Sequence, residues 1–313
     1  MEMKLTRKVY SGLNKLPWKE AGDKITEGCI VLEGGAFRGV YTGGVLDALM
    51  VAGLNLQTTI GVSAGAMNGI CYATGQIGYA SRINLGYRHN PNYVGLPAMI
   101  RNKGIIGFDF AFNAPGPLGP LKLENIQNRS RRFLAVATSL ETGKEAYFEE
   151  GITPDIVQAI RASASMPYIS KPVDVEGRLY LDGGCACKVP YRWALDNGFE
   201  KILIVRTRQK GYRKEIDPAA KHRVTKMMYK KYPAFLDTML HSDELSNIQA
   251  EEMEELEKSG RAYVIYPSGP VDQIGRLEKD MEKLGRLYFM GYHDVFAQLE
   301  RLKEYLQPAS PER

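Results

Sequence analysis

A serine with a glycine two residues away on each side, Gly61-Val62-Ser63-Ala64-Gly65, stands between a β-branched apolar run and a stretch of small residues. Thr58–Ser63 reads as a strand and Ala64–Thr74 as a helix, so Ser63 would occupy a sharp strand-to-helix turn. Such a turn leaves no room for side chains at Gly61 and Gly65. It pushes the hydroxyl outward beside a helix N-terminus, where backbone N–H groups and the helix dipole favour developing negative charge. That is a setting for a nucleophile; a serine that caps a helix in a glycine-rich turn is the plainer alternative.

A second segment, Gly34-Gly35-Ala36-Phe37-Arg38-Gly39, also lies between a strand and a helix. Successive glycines let backbone N–H groups converge on an anion, which suits either a dinucleotide phosphate loop or an oxyanion hole. The nucleotide reading needs an acidic residue about 20 positions on to hold the ribose. None occurs between Asp47 and Asp109, which leaves the oxyanion hole. A third segment, Asp182-Gly183-Gly184, follows Leu179-Tyr180-Leu181. It places a carboxylate at a strand end that can close on another loop, or an aspartate that only caps a tight turn. The histidines, His89, His222, His241 and His293, are scattered and none stands in such a turn. Three of them follow Asp182, so the chain order Ser…Asp…His of a hydrolase triad stays open.

The elements that must position these segments alternate along the chain. Strands are predicted at Cys29–Leu32, Thr58–Ser63, Phe133–Ser139, Arg178–Leu181, Lys201–Thr207 and Arg261–Tyr266, with Glu145–Glu149 as a hairpin partner across Thr142-Gly143. Helices are predicted through Val45, Leu46, Leu49 and Met50 up to Gly53, over Ala64–Thr74, and over Thr153–Ser163 with Thr153 as cap and Pro154 at its first position. Others follow at Pro190–Asn197, around Glu251–Glu255, and as one long amphipathic element over Ile274–Leu302. The alternation predicts a layered α/β fold with a mostly parallel sheet. Residues 85–120, rich in glycine, aromatics and proline, read as a long covering loop. No repeat or linker divides the chain. It reads as a single domain over 1–313, with a motif-bearing core at about 28–207 and a helical region at about 208–313.

Composition sets the bounds. In 313 residues there are 41 Lys+Arg against 36 Asp+Glu, a net charge of +5, too small to argue for nucleic acid. Apolar residues at 44% are enough for a full core. Cys29, Cys71, Cys185 and Cys187 make neither a disulfide framework nor a zinc spacing, so no metal and no cofactor is implied. The N-terminus lacks an apolar signal core and no run is long enough to span a bilayer. The expectation is a soluble, cytoplasmic protein, at most peripheral to a membrane. The basic stretch Arg206–Lys231 is either a solvated face or a surface for anionic head groups near the site.

The order of glycine-rich loop, G-x-S-x-G and D-G-G resembles the patatin-like phospholipase family. Arg161-Ala162-Ser163-Ala164-Ser165-Met166-Pro167, with Pro172 following, is similar to the segment these proteins place before the aspartate. The resemblance runs from about Cys29 to Val205. It implies a three-layer α/β/α fold and a Ser–Asp dyad that cleaves carboxylic esters of lipids through an acyl-enzyme. Carried over by position, Ser63 is the nucleophile and Asp182 the base. Gly34, Gly35, Ala36 and Arg38 line the oxyanion loop, and Gly39, Gly61, Gly65, Gly183 and Gly184 are the remaining motif glycines. The family usually has a third glycine where Ala36 stands; if that position needs positive φ, alanine costs roughly 1 kcal/mol. The implied substrate is a phospholipid, lysophospholipid or other acyl ester. An acyltransferase using the same elbow, or a non-catalytic lipid-binding protein, are the other classes left open.

Overall fold

The computed structural model describes residues 8–102, 104–112, 116–216 and 218–307. Its main sheet comprises β1 (Thr26–Leu32), β2 (Leu56–Val62), β3 (Arg132–Ser139), β4 (Glu145–Glu149), β5 (Val173–Val175), β6 (Arg178–Asp182), β7 (Ile202–Val205) and β8 (Tyr263–Ile265). The order is β8-β7-β1-β2-β3-β6-β5, with β4 on the free edge of β3. From β8 to β3 every pairing is parallel. β4 and β6 run antiparallel to β3, and β5 antiparallel to β6.

One pairing detail sets the position of the site. β4 covers one edge of β3 from Leu134 to Thr138. On the other edge β2 pairs up to Val62↔Val136, and β6, arriving from the opposite direction, takes over at Asp182↔Ala137. The C-terminal ends of β2 and β6 therefore meet head to head on consecutive rungs.

The helices are α1 (Gly39–Val51), α2 (Ala64–Ala73), α3 (Tyr79–Tyr87), α4 (Leu96–Asn102), α5 (Phe108–Phe112), α6 (Glu124–Asn128), α7 (Ile156–Ser163), α8 (Tyr191–Asp196), α9 (Pro218–Tyr229), α10 (Pro233–Lys258), α11 (Met281–Ala297) and α12 (Leu299–Leu306). Strand alternation divides them into two layers. Ile30 and Leu32 of β1 pack with Leu46 of α1, Ile70 of α2, Ile160 of α7 and Leu284 of α11. Cys29 and Val31 pack with Tyr191 and Ala194 of α8 and Met253 of α10. Both faces of the parallel strands are buried, which is why they read as continuous apolar runs. The three layers and the mostly parallel sheet are those expected.

Several boundaries differ. α7 starts at Ile156, because Asp155 rather than Thr153 supplies the cap, its carboxylate accepting from the Gln158 N–H at 2.9 Å. The predicted helix over 274–302 is two, α11 and α12. Asp280 caps the first by accepting from the N–H groups of Glu282 and Lys283. Residues 85–120 are not one open loop. α4, α5 and a Val94–Ile106 bridge organise them, and Tyr93, Phe108 and Phe112 are buried. Residues 103 and 113–115 of that stretch, Pro115 included, lie outside the described residues. Among the described residues no helix is long and apolar enough to cross a membrane.

α11 lies close against α1. A Cβ on Gly44 would fall 2.0 Å from the Tyr288 carbonyl oxygen. Two buried hydrogen bonds flank the contact, Tyr41 Oη to Asp294 at 2.9 Å and Tyr288 Oη to Asp47 at 3.1 Å. We therefore expect the C-terminal helices to unfold together with the sheet. Gly44→Ala, which forces α11 off α1, should cost about 1–3 kcal/mol, the usual penalty of overpacking. In urea it should move one cooperative transition rather than split it. A first transition left at the wild-type midpoint would mean two independently folding parts.

Candidate active site

Ser63 follows the last residue of β2 and precedes α2, with φ 55° and ψ −121°. That left-handed backbone is costly for a residue with a side chain, and tight packing maintains it. A Cβ on Gly65 would lie 2.5 Å from the Leu32 carbonyl oxygen, and one on Gly61 would lie 2.5 Å from the Gly65 carbonyl carbon. The elbow is thus pressed flat against β1. From the far side, Ser163 at the end of α7 accepts the Ser63 N–H at 2.8 Å and donates to the Val136 carbonyl at 2.6 Å.

The Ser63 hydroxyl donates to Asp182 Oδ2 at 2.7 Å. Asp182 is the last residue of β6, and its other oxygen accepts the Gly184 N–H at 2.8 Å. Thr138 Oγ1 donates to the Asp182 carbonyl at 2.9 Å, and the Asp182 N–H reaches the Ser165 carbonyl at 2.9 Å. Gly183 passes so close to β3 that a Cβ there would sit 2.1 Å from the Val136 carbonyl oxygen. Ser63 and Asp182 are 8% and 7% exposed, so the pair is almost out of water. Burial raises the Asp182 pKa above its usual value; the Ser63 and Gly184 hydrogen bonds, Lys188 and Arg276 pull it back.

The 34–39 loop curls over this pair. Ala36–Arg38 form a single 3₁₀ turn and Gly39 opens α1. Ala36 has φ 50°, so the strain anticipated for an alanine here is present, at about 1 kcal/mol. The loop is fastened by Glu33, which is buried. Its carboxylate accepts from Arg206 Nε at 3.0 Å and from the Thr207 N–H and hydroxyl, while the same hydroxyl donates to the Gly34 carbonyl at 3.0 Å. Among the described residues, the N–H groups of Gly35 and Ala36 have no hydrogen-bond acceptor.

Two cavities meet at Ser63, Ala36, Met166 and Leu277. One is an apolar slot of about 50 Å³, walled by Val40, Met67, Tyr93 and Ile106, so the 85–120 segment supplies part of its wall. The other is an open chamber of about 570 Å³ that reaches α9, α10 and the loop before α11. Lys188 lies between the Asp182 turn and α10. It donates to the Gly184 carbonyl and, at 2.7 Å, to Ser242 Oγ. Burial and nearby Lys214 pull its pKa down to about 8. Tyr168 ties the 161–167 segment to α9 through Thr225 and Tyr229.

The three sequence motifs thus come together, while the histidines do not join them. His89 contacts the Lys279 carbonyl, His241 pairs with Asp237 on its own helix, and His293 lies against Phe289 and Tyr292. His222 and His241 reach only the wall of the chamber. Cys185 and Cys187 are buried beside the aspartate turn, where burial raises both thiols, Cys187 to about 12. Sequence reasoning missed Lys188 and the Glu33–Arg206 pair. For Ser163 the signal existed, since the 161–167 segment was singled out, but its hydrogen bonds were not foreseen.

Residues 30–195, just over half the chain, match the model of a family described as "Patatin-like phospholipase". Residues 232–307 match a domain of unknown function, DUF6363. The uncharacterized protein YjjU of Escherichia coli is 29% identical over 183 residues, 57% of this chain and 51% of that protein. A probable lipid hydrolase, 463L, of invertebrate iridescent virus 6 is 28% identical over 170 residues, 50% of this chain and 59% of the viral protein. The chain thus spans about half the length of these curated relatives. VipD from Legionella pneumophila aligns at a TM-score of 0.45 with 14% identity, over 96% of this chain and 72% of the other, a likeness that carries no argument here.

The buried aspartate makes a stability prediction. Because its folded pKa is raised, the folded state holds the proton more tightly than the unfolded chain does. Ionisation therefore costs stability above the folded pKa, and that cost fades as pH falls through it. Asp182→Asn keeps an oxygen to accept the Gly184 N–H, turns the Ser63 contact into one the amide donates, and removes the charge. With the Ser63 contact reversed in direction, the charge effect is read from pH dependence: the variant should gain on the wild type as pH rises through the folded pKa, with that gain fading on acidification. A gain that grows toward low pH would mean that the carboxylate is stabilised by its surroundings.

Proposed function

Because the chain belongs to the patatin-like phospholipase family, we propose that it is a serine acyl hydrolase that cleaves a carboxylic ester of a lipid. The observation that carries this reading is the 2.7 Å hydrogen bond from the Ser63 hydroxyl to Asp182 in a nearly dry site. Ser63 Oγ attacks the ester carbonyl while its proton passes to Asp182 Oδ2. The negative charge on the carbonyl oxygen falls toward the N–H groups of Gly35 and Ala36, with Gly34 and Arg38 completing the loop. Collapse expels the alcohol, which takes the proton from Asp182, and leaves an acyl group on Ser63. Water then attacks that acyl group, gives a proton to Asp182, and releases the carboxylic acid as the proton returns to Ser63.

The raised pKa of Asp182 suits a carboxylate that must act as a base, since a stronger base takes the serine proton more readily. The apolar slot suits an acyl chain. Exposed Val224, Met227 and Met228 on α9, interleaved with Arg223, Lys226 and Lys230, suit peripheral contact with a lipid surface.

Ser63→Ala should abolish hydrolysis of p-nitrophenyl esters with the melting temperature preserved, and fluorophosphonate should label Ser63 in the wild type. Asp182→Asn should lower kcat by about 10²–10⁴, the usual worth of a general base. Replacing His222, His241 and His293 together by Gln should leave kcat within about tenfold, or roughly 1.4 kcal/mol. Turnover in folded Ser63→Ala, or a single histidine change as damaging as Asp182→Asn, would overturn the dyad. Adding alcohol acceptors and finding transfer in place of release would make the enzyme an acyltransferase.

The slot is walled in part by Tyr93 and Ile106, so substrate entry should move the 85–120 segment. Limited proteolysis should cut first within this stretch, and a phosphonate on Ser63 should slow the cut. Cleavage elsewhere first, unaffected by the phosphonate, would count against a cover.

A further inference from the structure

Lys188 stands just beyond the Asp182-Gly183-Gly184 turn, where three parts of the site are tied together. Its carbonyl accepts the Gly34 N–H of the oxyanion loop at 3.4 Å. Its own N–H donates to Gln249 Oε1 at 3.0 Å. Its ammonium donates to the Gly184 carbonyl and, at 2.7 Å, to Ser242 Oγ. Ser242 and Gln249 both belong to α10 and both are buried. Gln249 also accepts the Val189 N–H at 3.4 Å and donates to the Val189 carbonyl at 3.4 Å, so the helix grips residues 188 and 189 by their backbone. Gly184 in turn supplies the N–H that holds Asp182 Oδ1 at 2.8 Å. One residue thus joins the turn of the base, the oxyanion loop and α10.

A tether of this kind needs a hydrogen-bond donor but not a charge. The carbonyl and the hydroxyl would accept from a neutral group, and a half-buried ammonium loses hydration that they only partly restore. The charge needs a separate reason. The groups that act on it are Asp182 and Cys185 from the base turn, Lys214 from the loop before α9, and Asp243 from α10. Asp243 is bound to Lys214 at 2.7 Å, so those two largely offset each other. Burial keeps the Cys185 thiol protonated. That leaves Asp182 as the charge the ammonium faces, with Arg276 the other cation that acts on the same carboxylate. Burial and Lys214 bring the Lys188 pKa down to about 8, which leaves the ammonium protonated at neutral pH.

We propose that Lys188 is a positioning residue for the hydrolysis: through it α10 holds the Asp182 turn against the oxyanion loop, and its ammonium keeps Asp182 a carboxylate able to take the Ser63 proton. The inference rests on the hydrolase reading above and deepens it. Burial favours the neutral acid, which has no lone charge to receive that proton, and a fixed positive charge opposes this. The working form of the site then survives to lower pH than a buried carboxylate alone would allow. α10 lies within residues 232–307, so the inference gives that stretch, matched to a domain of unknown function, a part in the active site.

The test is the pH profile of kcat/KM for a p-nitrophenyl ester, with Lys188→Met and Gln249→Leu beside the wild type. Lys188→Met should move the acidic limb to higher pH, so that the wild-type advantage grows by at least about threefold as pH falls through the limb. Gln249→Leu, which loosens the grip and leaves the ammonium, should lower kcat by about tenfold with KM nearly unchanged and the limb in place. An acidic limb that stays put in Lys188→Met overturns the inference however much activity is lost, since a merely structural residue would scale the whole profile. Wild-type kcat in Gln249→Leu overturns the part given to α10. Lys188→Gln, which keeps a donor without the charge, carries the same expectation should Lys188→Met fail to fold. The Asp182 carboxyl titration reads the same effect with no ester present, by carbon-13 NMR of aspartate-labelled protein with the signal assigned by its loss in Asp182→Asn. An upward displacement in the Lys188 variant upholds its role toward Asp182 even if the wild type cleaves nothing, and removes only the hydrolase reading in that case. No displacement overturns the inference whichever ester is cleaved.

Discussion

The arrangement of the site depends on one edge of one strand. β3 gives its edge to β2 as far as Val136 and to β6 from Ala137 onward. A strand edge has a fixed spacing of hydrogen-bonding groups, so two strands that share it in opposite directions must end within a residue of each other. Ser63 follows the end of one and Asp182 is the end of the other. Their contact is therefore set by backbone ladder geometry rather than by side-chain flexibility. Thr138, Ser163 and Gly183 engage or press on backbone groups at this junction and so hold the register, while the Ser63 Oγ–Asp182 Oδ2 contact is left to the two side chains themselves.

That geometry explains which parts of the sequence could be read. Gly61, Ser63, Gly65, Asp182, Gly183 and Gly184 carry short-range signals, because a strand that turns sharply must use small residues at fixed offsets. The unbroken apolar runs Cys29–Leu32 and Phe133–Ala137 likewise report strands buried on both faces. What was hidden depends on where distant elements pass. Nothing around Ser163 says that its hydroxyl will accept the Ser63 N–H, and nothing around Lys188 says that α10 will bring Ser242 to it. Asp155 displaced Thr153 as a cap, Asp280 set the start of α11, and the chain broke the continuous amphipathic pattern at Gln298, because helix ends are decided by backbone direction as much as by residue type. Residues 85–120 read as loop from their prolines and glycines, yet the aromatics among them are buried and give the stretch its own packing.

At the site the chain departs from its lowest-energy local choices in several places at once. Ser63 and Ala36 both adopt positive φ, Asp182 is buried beside a hydroxyl, and Arg38 lacks a carboxylate partner among the described residues. Each is unfavourable alone. The cost is carried by dense packing around them, including Leu32 and Val62 at the strand ends and the Glu33–Arg206 pair beneath the loop.

The head-to-head meeting of β2 and β6 has a further consequence during synthesis. Ser63 and Asp182 are 119 residues apart in the chain, and the shared strand between them must already be in place before they touch. Closing a loop of that length comes after the local parallel pairings in order of entropic cost. An emerging chain that has completed the elbow holds Ser63 without Asp182 beside it. On the hydrolase reading proposed above, the nascent polypeptide stays silent toward acyl esters until residue 182 has emerged and paired with β3, and a product truncated before that residue is inert.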